Sequence, residues 1–114
     1  MPSQMIKRIL SAKVYEVAVE TPIDAMPSLS RQLHNHILSK REDLQRGFSF
    51  KVRGAYNKIA KLPPAKRKNG VVAASAGNHA QGMAMSAREL DVKATIVMPV
   101  TTPSIKVRAV KSIG

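Results

Sequence analysis

The stretch Val71-Val72-Ala73-Ala74-Ser75-Ala76-Gly77-Asn78-His79-Ala80-Gln81-Gly82 reads as a strand, a small-residue turn and the opening of a helix. Its first five residues have the short, uninterrupted apolar character of a buried parallel strand, and Asn69-Gly70 before them marks a turn. Ala76-Gly77 leads into a helix through Leu90, whose Ala80, Gly82, Ala84 and Ala87 would allow close packing on a sheet. Ala94-Thr95-Ile96-Val97-Met98 repeats the strand pattern. Thr102-Pro103 then supplies a cap and a proline at the first helical position, opening a helix through Val110, with Gly114 where a C-cap glycine would fall. The alternation predicts an α/β fold, a parallel sheet with flanking helices and right-handed crossovers.

Working outward, His36-Ile37-Leu38-Ser39-Lys40 looks like a strand and Arg41 to Phe48 like a loop. Ser49 is placed to cap a helix through Tyr56, Ile59 and Leu62 that Pro63-Pro64 would end, so Lys51 falls in a first helical turn. Residues 1–30 are expected to form a helical and loop packing arm. Met5, Ile6, Ile9, Leu10 and Val14 recur at helical spacing with Lys7, Arg8 and Lys13 between them, and Thr21-Pro22 breaks the pattern. The segment through Pro27 and Ser28 reads as loop or short extended chain before a turn at Asn35.

The chain has 114 residues, 44% of them apolar, enough for one small domain and its core. Lys and Arg number 19 against 7 Asp and Glu, a formal +12 that favours anionic partners. The charge is dispersed, with its densest run at Lys66-Arg67-Lys68 near Lys61, and Tyr15, Phe48, Phe50 and Tyr56 are the only aromatics available to stack on bases. Nucleic acid is therefore not the expected partner. With no cysteine, disulfides and thiolate metal sites are excluded. His34, His36 and His79 lack metal-ligand spacing with carboxylates, so no metal is expected. No apolar run reaches membrane-span length, and the N-terminus lacks the continuous hydrophobic core of a signal peptide, which predicts a cytoplasmic protein without membrane contact.

Two segments carry chemistry. Lys51, within Ser49-Phe50-Lys51-Val52-Arg53-Gly54, offers an amine that can form a Schiff base with an aldehyde, and a helix start inside a desolvated pocket would favour its neutral form. In Ser75-Ala76-Gly77-Asn78-His79 the backbone N–H groups at a helix start form an anion site, to which Ser75 adds a hydroxyl. Each has a plainer alternative: a solvated lysine in a basic chain, and a strand-to-helix turn with an N-cap asparagine.

In this order and with these flanks, the two segments resemble the N-terminal part of the fold-type II (tryptophan synthase β-like) pyridoxal phosphate enzymes. Within them the likeness is to the biosynthetic threonine dehydratases (threonine ammonia-lyases). It rests further on Lys40-Arg41-Glu42-Asp43, on Gly54-Ala55-Tyr56-Asn57-Lys58 and on Met98-Pro99-Val100-Thr101-Thr102-Pro103. Serine racemase and serine dehydratase share parts of it. Arg46-Gly47 departs from the family pattern and predicts a looser loop before the lysine helix, and Pro27 interrupts a segment often continuous in the family.

The resemblance implies pyridoxal 5′-phosphate as cofactor and an amino acid as substrate. Lys51 would be catalytic and would hold the cofactor, Phe50 would pack on its ring, and Asn78 would donate to its phenolic oxygen. Ser75, Ala76, Gly77, Asn78 and His79 would bind the substrate carboxylate. Phe50 has an equally weighted reading as a core residue. Arg53 is expected in a structural ion pair, Gly54 at a close approach to a neighbouring element, and Met83, Met85 and Met98 as core filler. The family's glycine-rich phosphate loop has no counterpart among the six scattered glycines. Hence the expectation of a truncated or split piece, a single partial domain over 1–114, acting as a homo-oligomer or with a complementing C-terminal portion. The rival from another class is a small basic protein binding nucleic acid or another acidic partner.

Overall fold

The computed structural model describes residues 2–113. Gly114, expected as a C-cap, lies outside the described residues. The elements run α1 (Pro2–Leu10), β1 (Ile23–Ala25), α2 (Pro27–Gln32), β2 (Leu38–Lys40), α3 (Lys51–Ala60), α4 (Pro64–Lys68), β3 (Val71–Ala74), α5 (Asn78–Glu89), β4 (Ala94–Val97) and α6 (Ser104–Lys111). Short 3-10 turns occupy Val14–Glu16 and Glu42–Leu44.

β3 and β4 pair in parallel, with Val71 opposite Ala94 and Ala74 opposite Val97, and α5 makes the crossover between them. Gly70 sets the entry to β3: its φ is +80°, and a Cβ there would meet the Lys93 carbonyl oxygen at 2.7 Å. β1 and β2 form a separate antiparallel pair, Asp24 opposite Ser39.

Strand alternation sends Val71, Ala73, Ala94 and Ile96 toward Ile59 of α3 and Met83 and Ala87 of α5. A second cluster joins Ala80 and Ala84 of α5 to Val110 of α6, and a third joins Val52 and Met85 to Ala18. Met83 and Met85 are buried and Met98 packs against the second cluster, as core filler. The opposite face of β3 and β4 is bare: Val72 is 74% and Val97 54% exposed, so β3 is not the buried strand its composition suggests. Among the described residues helices cover one face of this pair, in keeping with a body of 50 × 41 × 21 Å.

Three further expectations are corrected. Pro27 opens α2 and Pro64 opens α4, because proline lacks only an N–H that a first helical turn leaves unbonded. Pro103 is the N-cap of α6 and Ser104 its first residue. The close contact of α5 is made with α3, not only with the sheet: a Cβ at Gly82 would lie 2.9 Å from both the Lys51 carbonyl carbon and the Val52 nitrogen. On α1, Met5, Ile6, Ile9 and Leu10 are all exposed.

Candidate functional site

Lys51 is the first residue of α3, behind Phe50 at the N-cap. The Ser49 hydroxyl accepts the Lys51 N–H at 3.1 Å, so Ser49 quenches a helix-start donor from one position further out than the sequence suggested. Phe48 has φ +55°, a left-handed turn for a bulky side chain that costs about 1 kcal/mol and re-aims the chain into α3. The loop before it is anchored: Gly47 is buried, and a Cβ there would meet Met85 Sδ at 3.2 Å, contrary to a looser entry.

The Lys51 side chain is exposed rather than desolvated by its surroundings. Its ammonium lies 4.8 Å from the Phe50 ring centroid, and Phe50 itself is 58% exposed, which removes the reading of Phe50 as a core residue. Both line a cleft of about 370 Å³ with Gly54, Ile59, His79 and Met83. Gly54 does not bring α3 against a neighbour, since a Cβ there would meet nothing within 4 Å.

The second segment leaves β3 at Ser75, whose N–H donates to the Val97 carbonyl at 3.0 Å. The Ser75 hydroxyl accepts the Gly77 N–H at 3.3 Å, which keeps its own proton free to donate. Gly77, not Asn78, caps α5, and its carbonyl accepts from Ala80 at 3.0 Å. Among the described residues the N–H groups of Ala76, Asn78 and His79 have no partner, and the Asn78 and His79 side chains are exposed. A helix of 12 residues thus presents free donors and the positive end of its dipole beside the cleft that His79 shares with Lys51.

Sequence reading missed the support of this site. Glu42, assigned no role, accepts Arg53 Nε at 2.8 Å and Nη2 at 2.9 Å, along with the Thr21 hydroxyl at 2.7 Å. The paired guanidinium holds the Glu42 carboxyl down at about 2 and pushes Arg53 above the usual arginine range. Gln45, 2% exposed, closes the knot by accepting from Val19 N–H at 2.8 Å and donating to Val19 carbonyl at 2.7 Å. Arg53 is therefore in the structural ion pair expected of it. These bonded partners lie 11 to 26 residues apart, beyond the reach of local periodicity. Arg41 spans Asp24 at 2.6 Å and Asp43 at 2.7 Å.

Of the second segment only His79 lines the cleft, while Ser75, Ala76, Gly77 and Asn78 do not. A primary amine at a helix start, an aromatic ring beside it and unbonded N–H donors adjoining His79 fit an aldehyde cofactor and a carboxylate-bearing substrate. Among the described residues no group of three or more His, Asp or Glu could hold a metal ion, and no helix is long and apolar enough to cross a membrane.

Residues 14–114 match the model of the pyridoxal-phosphate dependent enzyme family. The chain is 56% identical over 111 residues to threonine dehydratase 1 biosynthetic, chloroplastic, of Solanum lycopersicum, covering 97% of this chain and 18% of that protein. It is 55% identical over 109 residues to L-threonine dehydratase biosynthetic IlvA of Burkholderia multivorans, covering 96% and 22%. It thus spans about a fifth of the length of these curated relatives. Among solved structures it superposes on the processed form of threonine deaminase isoform 2 from Solanum lycopersicum with TM-score 0.91 and 48% identity, covering 98% of this chain and 33% of that one. Maize serine racemase follows with TM-score 0.87 and 33% identity, covering 96% and 34%. These likenesses identify the α/β architecture as that of a fold-type II enzyme fragment.

Proposed function

The chain belongs to the pyridoxal-phosphate dependent enzymes, and from that premise we propose that it serves a threonine ammonia-lyase, converting L-threonine to 2-oxobutanoate and ammonia at the start of isoleucine synthesis. The observation that carries this reading is the shared cleft, lined by Lys51 and Phe50 at the start of α3 and by His79 in the first turn of α5.

Lys51 Nζ would hold the cofactor's aldehyde carbon and, as a free amine, would take the proton from the substrate Cα. Phe50 would lie against the cofactor ring, and the Asn78 amide would donate to the phenolic oxygen. Ser75 and the N–H groups of Ala76, Gly77, Asn78 and His79 would receive the substrate carboxylate. Gly77 contributes only if its bond to Ser75, already long at 3.3 Å, is shared. The bound cofactor supplies an electron sink for the charge that develops at Cα.

Threonine is favoured over serine as substrate because the identity to biosynthetic threonine dehydratases exceeds that to serine racemase. The cytoplasm as its place, and a homo-oligomer or a complementing C-terminal portion as its partner, belong to the same proposal. Treatment with pyridoxal phosphate, borohydride reduction and peptide mapping test it. Label concentrated on Lys51 is expected, and label spread evenly over the lysines would overturn the assignment.

A further inference from the structure

We propose that Gly82 is a positioning residue for Lys51, setting where the lysine's backbone sits relative to the turn that carries Asn78. The inference rests on the lyase reading for its chemical meaning, while its geometry stands apart from that reading. Gly82 lies in the second turn of α5, four residues after Asn78, and is buried. A Cβ on it would come within 2.9 Å of the Lys51 carbonyl carbon, 2.9 Å of the Val52 nitrogen and 3.1 Å of the Lys51 carbonyl oxygen. All three are backbone atoms of the first turn of α3, so they cannot yield as the tip of a flexible side chain would. Any side chain at position 82 must therefore push the start of α3 away from the start of α5.

The remaining contacts make this displacement local. Val52 is 1% exposed and packs with Met85 and Ala18, and the Glu42–Arg53 pair also holds this helical turn. Helix α3 further along is kept in register by Ile59 against Met83 and Ala87. A methyl group at Gly82 acts as a wedge at one end of a clamped helix, moving Lys51 more than the rest of α3. Gly54 is the contrast within the same helix, with open space where its Cβ would be. Misplacement on the order of 1 Å between reacting groups costs roughly a hundredfold in rate, so this contact bears on chemistry as well as on packing.

The test compares the parent chain, Gly82→Ala and Ala84→Gly. Ala84 is buried against Ala80, Val110 and Ile96, so its loss weakens α5 without touching Lys51. Two quantities are read: backbone amide resonances, and the share of borohydride-fixed pyridoxal phosphate on Lys51 among all lysines. In Gly82→Ala the Lys51 and Val52 amides are expected to move and the Lys51 share to fall to that of the other lysines. In Ala84→Gly both should stay as in the parent. Unmoved amides in Gly82→Ala, or an undiminished Lys51 share, would overturn the inference. Even labelling already in the parent would instead sink the lyase reading, and the amide shifts would then decide the role of Gly82 alone. Should Gly82→Ala fail to fold, the parent itself gives the answer. A nuclear Overhauser contact between the Gly82 α protons and the Val52 amide proton is required, and its absence would refute the close approach.

Discussion

Glu42 and Arg53 meet at two points, 2.8 Å and 2.9 Å, and so tie the turn after β2 to the helical turn that begins at Lys51. Both side chains are mostly buried, and removing one charge leaves the other desolvated. Glu42→Gln is expected to lower stability by about 2 kcal/mol in denaturant titration. The sign of the pH dependence follows from the lowered carboxyl. Its contribution is complete above the ordinary value of 4.5 and is lost as pH falls through about 2. Parent and Glu42→Gln should therefore differ most near neutrality and converge in strong acid. A constant difference down to pH 2 would contradict the pairing.

Tyr56 is 1% exposed and its hydroxyl donates to the Glu16 carboxylate, joining α3 to the 3-10 turn at Val14–Glu16. Burial first, and the carboxylate second, push its phenol up to about 12. The stability it contributes is complete below the ordinary value of 10 and is lost as pH rises through about 12. Ultraviolet titration should show a tyrosinate transition near 12 that Tyr56→Phe removes, with a stability loss of about 1 kcal/mol. Persistence of the transition near 12 in Tyr56→Phe would count against this bond.

Gly54→Ala should stabilise the chain by about 0.5–1 kcal/mol, because the methyl group enters open space and alanine loses less backbone entropy in a helix. Thermal melting checks it. A fall in melting temperature would mean that the face beside Gly54 is more crowded than described.

The charge of +12 is expected to act as background. Duplex DNA should bind weakly, without sequence preference and with affinity falling steeply as salt is added, through exposed cations such as Lys58, Lys61, Lys66 and Lys68. Salt-resistant, sequence-selective retardation would restore the rival reading of a nucleic-acid binding protein.

Much of the fold was legible in the chain because α3, β3, α5, β4 and α6 each announce themselves by a local pattern, while Lys51 and Asn78 stand out as candidates by the strings around them. What escaped has physical reasons. Proline at 27 and 64 breaks a helix from within but opens one from its first turn, and local composition alone does not separate the two. Val71-Val72-Ala73-Ala74 is apolar on both faces, so the pattern could not show that Val72 stays bare. Gly54 and Gly82 look alike in sequence, yet only the neighbour across the interface makes one replaceable and the other not. Glu42 and Gln45, in one short turn, meet Thr21, Val19 and Arg53 from separate segments, and nothing in their immediate surroundings marks them.

The central claim, that Lys51 performs the chemistry of a threonine ammonia-lyase, is tested most directly by 2-oxobutanoate formation from L-threonine and pyridoxal phosphate. Since the chain spans about a fifth of its relatives' length, the assay supplies the remaining length by co-expression with the C-terminal portion of a related dehydratase. The account predicts turnover in the complemented parent and none in the complemented Lys51→Ala variant, with no turnover by the 114-residue chain alone. Equal turnover by parent and Lys51→Ala would contradict it.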